Sequence, residues 1–250
     1  MSRIVCWFSC GAASAVATKL AITENAGKLP LVVARSWLAE EHPDNERFAQ
    51  ECEAWFGMPI TTLKSEKFNG SIYEVFHRER YIVGIKGAPC TRALKRHVRE
   101  AFQRPDDLHV FGYTAEEQDR YDRFLDANND LRVWPILIEQ GLLKAECLAM
   151  VERAGIELPA MYRMGYRNNN CIGCVKGAAG YWNKIRVDFP LVFQRMAKTE
   201  RLIGASICKV GTVRTYLDEL PPGAGDYPNE PEVQCGFTCE LAEQTYRGAA

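Results

Sequence analysis

Five short apolar runs, "RIVCWFS" at 3–9, "LPLVVARS" at 29–36, "MPITTLKS" at 58–65, "LHVFGYT" at 108–114 and "LRVWPIL" at 131–137, constrain this chain most. Between them lie segments of helical pattern. "AASAVATKLAITENAG" closes on Gly27, "HPDNERFAQECEAWFG" opens at Pro43 and Asp44 and stops at Gly57, and "CTRALKRHVREAFQ" is basic and amphipathic. "AEEQDRYDRFLDAN" follows the fourth run. Strands alternating with helices of this length predict an α/β fold, a Rossmann-like and mostly parallel sheet flanked by helices. Ligands of such sheets bind outside the carboxyl ends of the strands.

From about residue 141 the pattern turns helical and irregular. We expect a nucleotide-binding α/β core over 1–140 and a helical, cysteine-containing extension over 141–250, packed as one integrated domain. "KAECLAMVERAG" reads as a helix, "IELPAMYRMGYRNNNCIGC" as loop-rich, and "GYWNKIRVDFPLVFQRMAKTERLIG" as helical again. The tail "LPPGAGDYPNEPEVQCGFTCE" is rich in proline and glycine and needs something to hold it.

The net charge of −1 exerts no global pull on nucleic acid or anionic membrane. The N-terminal apolar run is too short for a signal h-region and no long apolar span follows, so a cytoplasmic, non-membrane protein is expected. Ten cysteines in a reducing compartment do not make a disulfide framework. Cys6, Cys52, Cys147 and Cys208 sit in apolar patterns and read as small core residues. Cys10, Cys90, Cys171, Cys174, Cys235 and Cys239 lie beside glycine, proline or asparagine, in turn-like contexts that core packing does not explain.

At the first strand–helix turn, "SCGAAS" (Ser9 to Ser14) lets backbone N–H groups approach an anion at a helix N-terminus. The segment resembles the pyrophosphatase-type loop S-G-G-x-D-S of the adenine nucleotide α-hydrolase superfamily. Ser9, Gly11 and Ser14 match, Cys10 stands for a glycine and Ala13 for the aspartate. Loss of that aspartate is closer to the phosphoadenylyl-sulfate (PAPS) reductases than to the ATP-using thiolases. "EEHPDNERF", "GYTAEEQDR", "VWPIL" and "GIELPAMYRMGY" resemble further motifs of those reductases in the right order, over about residues 3–186. The resemblance implies adenine nucleotide or sulfonucleotide as ligand, with contacts from Ser9, Gly11, Ser14, Arg92, Lys95 and Arg120.

It also gives the cysteines a meaning. Assimilatory reductases of this kind bind a 4Fe–4S cluster with a Cys-Cys pair about 80 positions ahead of a Cys-x-x-Cys. Here Pro89-Cys90 stands in place of the pair, and Cys171 and Cys174 form the second half. Cys239 is the candidate fourth ligand or, equally, the thiol that resolves a disulfide with Cys235. "QCGFTC" resembles the E-C-G-L-H motif that carries the reductase nucleophile, which points to Cys235 as catalytic, although Thr238 replaces the histidine. A structural zinc on Cys171, Cys174, Cys235 and Cys239 is the competing metal reading. The implied activity is reduction of a sulfonucleotide, with a thiol donor such as a thioredoxin-like protein and a homodimer as the candidate assembly. The alternatives are an ATP-dependent sulfur transferase, for which a nucleic-acid acceptor would be a partner, and a non-catalytic nucleotide-binding module.

Overall fold

The structure is a computed structural model that describes residues 2–84 and 87–233. Its elements in chain order are β1 (Ile4–Trp7), α1 (Ala12–Asn25), β2 (Leu31–Ser36), α2 (Asp44–Phe56), β3 (Ile60–Leu63), α3 (Ile72–Glu79), α4 (Pro89–Thr91) and α5 (His97–Phe102). These are followed by β4 (Leu108–Val110), α6 (Gln118–Ala127), β5 (Arg132–Val133), α7 (Ile136–Glu139), α8 (Lys144–Arg153), α9 (Ala160–Arg163), α10 (Ala179–Asp188), α11 (Pro190–Ile203), β6 (Cys208–Val210) and β7 (Val213–Thr215). Two compact units form. The first takes the chain up to Trp37, His42–Lys64 and His97–Asn169; the second takes Leu38–Glu41, Ser65–Arg96 and the chain from Asn170.

The first unit holds the expected parallel sheet, in the order β3-β2-β1-β4-β5. Alternation along β1 supplies both faces. Cys6 and Phe8 join the cluster built with Val16, Phe48, Cys52, Cys147 and Val151, from α1, α2 and α8. Trp7 faces the other way, edge-on to Phe102 of α5 and stacked with His109 and Phe111, while Phe111 meets Phe124 of α6. The sheet is therefore flanked by helices on both faces. The chain builds β1, β2 and β3 outward, then returns to place β4 on the other side of β1. That reversal makes the carboxyl ends of β1 and β4 a topological switch point, where α/β sheets open a crevice for ligands.

Several local expectations are adjusted. Ala26, in the left-handed conformation, ends α1 one residue before Gly27. The run 131–137 yields only the two-residue β5. Pro135 has no N–H for the ladder, and Ile136–Glu139 winds into α7. The basic segment is not one regular helix, because Arg92–Arg96 forms a π turn between α4 and α5.

The second unit is built from α3, α4, the π turn, α10, α11 and the antiparallel hairpin β6–β7, which the sequence reading did not anticipate. Trp182 is fully buried against Phe193 and Tyr181. Glu200 of α11 accepts from the backbone N–H groups of Ile207 (2.5 Å) and Leu217 (2.6 Å), fixing both ends of the hairpin segment. The arm through Val233 is held on α10. Glu230 accepts from Gly180 N (2.6 Å) and Tyr181 N (2.9 Å), and Asn183 donates to the carbonyls of Pro221 and Ala224. Cys235 and Cys239 lie outside the described residues. Among the described residues no helix is long and apolar enough to cross a membrane.

Candidate functional site

The strand–helix turn in the first unit is closed from within. Ser14 Oγ accepts from the Ser9 N–H (3.0 Å) and Ser9 Oγ (3.1 Å), and donates to the Gly11 carbonyl (2.9 Å). The single proton of the Ser14 hydroxyl is thus spent inside the loop, and Ser14 shapes the backbone that would meet an anion. Ser9 is exposed and Gly11 partly so. Cys10 adopts φ 55°, the left-handed region that glycine enters at no steric cost, so the cysteine keeps the backbone shape of the glycine whose place it takes in the resembled loop. Its thiol lies 3.6 Å from an Arg35 nitrogen, and its carbonyl accepts from Asn169 Nδ2 (2.6 Å). Arg35, almost fully buried, also binds both carboxylate oxygens of Glu46 at 2.6 Å.

Gly112, just past β4, fits only as glycine: a Cβ there would stand 2.6 Å from Ser14 N and 2.9 Å from the Ala13 carbonyl carbon. The first turn of α1 therefore abuts the carboxyl end of β4 at the switch point. No side chain caps the N-terminus of α1, and no acidic residue lies in its first turn, so its N–H groups keep their attraction for an anion. Arg120 pairs with Glu117, which also accepts from Thr114, and its guanidinium lies 5.3 Å from the centre of the Tyr113 ring. Within this unit it is tied to the turn that opens α6.

Three of the candidate cysteines gather in the second unit. Cys90, Cys171 and Cys174 line one small cavity together with Leu38, Ile72, Thr91, Lys95 and Val175. Its free space is about 10 Å³, room for roughly one water-sized sphere. Pro89 opens α4 and puts Cys90 in its first turn. The Cys-x-x-Cys turn depends on Gly173, at φ 73°, where a Cβ would overlap Val192 and Trp182. Tyr181 braces the turn: its hydroxyl accepts from the Cys174 N–H (2.9 Å) and donates to the Cys171 carbonyl (3.4 Å). A further hydrogen bond runs from the Ile172 N–H to the Glu40 carbonyl (2.8 Å).

Among the described residues no three His, Cys, Asp or Glu side chains are grouped closely enough to hold a metal ion. The three cysteines are therefore neighbours around a cavity and not a preformed ligand set. Lys95, expected at a nucleotide, lines this cavity, and Arg92 binds Glu79 at 2.6 Å.

Sequence reasoning missed Tyr181 and the division of labour in "NNN". Asn168 accepts from Lys144 (2.8 Å) and Asn169 reaches Cys10 and Asn45 in the first unit, whereas Asn170 donates to the Val233 carbonyl (2.6 Å) in the second. Trp182 is fully buried, and Trp134 Nε1 donates to Glu139 (3.0 Å). No protein-family model matches the chain, and no curated protein matches it.

Proposed function

We propose that this protein is a PAPS-reductase-like enzyme that binds an adenine nucleotide at the β1–α1 turn and carries a thiolate-held metal centre. The observation that supports it most is the meeting of Cys90 with Cys171 and Cys174 in one cavity, although 81 positions separate Cys90 from Cys171. The resembled family's ligand order requires that meeting, and local structure does not. The donor set fits a soft metal in kind, because thiolates select iron–sulfur clusters and zinc. Cys90, Cys171 and Cys174 would supply three ligands and Cys239 the fourth. A bound 4Fe–4S cluster would supply a redox-active centre.

The chain's own groups carry the proposed reaction. The α1 N-terminus and the loop organised by Ser14 hold the nucleotide phosphates. The Cys235 thiolate attacks the sulfonucleotide sulfur, forming an S–S bond as the S–O bond to the nucleotide breaks. A donor dithiol then attacks Cys235, releases sulfite with the bonding electron pair, and resolves the mixed disulfide as its own disulfide. Replacing Cys235 with serine is expected to abolish sulfite release and leave nucleotide affinity unchanged. Full turnover by that variant would refute the reductase reading.

One observation favours a second metal reading. The free space of the cavity is about 10 Å³, too small for a cluster as its lining stands. A zinc ion held by Cys90, Cys171, Cys174 and one tail thiol needs less room, although the three thiols would have to draw together around it. Iron, sulfide and zinc assays on protein purified without oxygen separate the two. Iron and sulfide with broad absorption near 400 nm support the cluster, and stoichiometric zinc in colourless protein supports the ion.

A further inference from the structure

The arm that follows hairpin β6–β7 is fastened to α10 in a fixed order. Arg186, near the carboxyl end of α10, donates to the carbonyls of Leu217 (3.2 Å) and Leu220 (2.6 Å). Asn183, closer to the start of the helix, donates to those of Pro221 (2.9 Å) and Ala224 (2.8 Å). Glu230 then meets the opening turn, where Gly180 N–H (2.6 Å) and Tyr181 N–H (2.9 Å) donate to its two carboxylate oxygens. The last fastening lies beyond the helix: Asn170 Nδ2 donates to the Val233 carbonyl (2.6 Å). The arm thus runs antiparallel to α10, and Val233 arrives at the residue before Cys171.

The seat is built for a close pass. A Cβ on Gly180 would stand 2.5 Å from Tyr227 N, and one on Gly225, at φ 79°, would stand 2.1 Å from Gly180 N. A carboxylate on the first N–H groups of a helix is a charge-assisted contact that the dipole favours. Tyr181 serves arm and turn together. Its N–H binds Glu230, its ring centre lies 6.0 Å from that of Tyr227, and its hydroxyl braces the Cys171–Cys174 turn. Arg186 and Asn183 suffice to hold the arm as far as Ala224, whereas Glu230 and Asn170 carry it on to the cysteine turn.

Cys235 is two residues beyond Val233, so chain length alone keeps its Cα within about 7 Å of the Val233 Cα. We infer that Glu230 and Asn170 are positioning residues for the Cys235 nucleophile, which they confine by fixing Val233 beside the Cys171–Cys174 turn. This role deepens the reductase reading proposed above and rests on it. Confinement raises the effective concentration of a nucleophile, and release of an anchor lets the thiol range over a longer free chain.

The test uses the full-length chain with phosphoadenylyl sulfate or adenylyl sulfate and no thiol donor. It follows formation of the Cys235 S-sulfonate by mass in a single turnover at saturating nucleotide. Glu230→Ala and Asn170→Ala are each expected to slow that step about tenfold or more, with nucleotide affinity at the wild-type value. Glu230→Gln, whose amide oxygen still accepts from one N–H, should fall between wild type and Glu230→Ala. Hydrogen exchange at Gly180 and Tyr181, read by NMR, should quicken about tenfold in Glu230→Ala and stay unchanged in Asn170→Ala. Wild-type S-sulfonate rates in both alanine variants would overturn the inference while leaving the reductase reading in place. Loss of nucleotide affinity in parallel with the rate would assign both residues to general stability and overturn it too. Absence of the S-sulfonate in wild type would remove the reductase reading and the inference with it.

Discussion

The two candidate loops hold their shapes in different ways. Ser9–Ser14 is self-contained: one serine hydroxyl makes three hydrogen bonds within six residues, and Cys10 absorbs the left-handed turn. The Cys171–Cys174 turn is held from outside, by Tyr181 and by Glu40, with Gly173 as the left-handed residue. A self-contained loop can be read from a short sequence window, whereas one braced from elsewhere cannot. The contrast also says where each loop should fail.

The largest effects are expected at the two glycines. Gly173→Ala adds left-handed strain to an overlap with Trp182 and should cost about 3 kcal/mol, with loss of bound metal. Gly112→Ala pushes against the Ser14 backbone and should cost a similar amount, with loss of nucleotide affinity and retention of metal. Thermal unfolding paired with metal assay and nucleotide titration reads both variants. If either variant lost both ligands equally, the two loops would not be the separate devices described here.

Acid should move the two units in opposite directions. In the first, burial and then the Arg99 charge lower the pKa of His109 to about 4, below the usual value near 6.5. His109 is kept neutral, its Nδ1 accepting from Trp7 Nε1 (3.0 Å). Its contribution is complete above pH 6.5 and is lost as pH falls towards 4. In the second unit, burial raises the pKa of Glu200 to about 7, against the pull of its two backbone donors. Its contribution is complete below about pH 4.5 and is lost as pH rises through 7. Between pH 7 and pH 5 the first unit should lose ~2 kcal/mol and the second gain a similar amount. Hydrogen exchange, corrected for intrinsic rates and resolved by peptide, should show protection around β1 and β4 falling while that of β6 and β7 rises. His109→Gln and Glu200→Gln should each flatten one of the two trends.

Smaller effects separate shape from chemistry within the first loop. Ser14→Ala should cost about 1–2 kcal/mol and weaken nucleotide binding, since it frees Ser9 and Gly11 together. Cys10→Gly should change stability by less than about 1 kcal/mol, because relief of the left-handed strain offsets the lost buried thiol. Cys10→Val, of similar volume but β-branched, should cost more than about 2 kcal/mol at the same position.

What the sequence revealed follows the range of the forces involved. β1, β2, β3, α1, α2 and α8 were legible because period and capping residues act locally. The second half of the 131–137 run went astray where Pro135 overrode apolar character. The π turn at Arg92–Arg96 had no signal that periodicity could register. Hairpin β6–β7 did have one, Gly211 and Thr212 between β-branched neighbours, hidden by the helical pattern before it. At the candidate site, Cys90, Cys171 and Cys174 were singled out through resemblance and spacing, and the structure places them around one cavity. Tyr181 was not, since a brace becomes visible only once the chain has folded.

Metal content measured side by side in wild type and Cys90→Ser, both purified without oxygen, tests the central claim most directly. A single centre shared by Cys90, Cys171 and Cys174 predicts stoichiometric metal in wild type and its loss in the variant, at unchanged secondary structure. Full metal retention by Cys90→Ser would contradict the shared centre and leave Cys90 a thiol that merely borders the cavity.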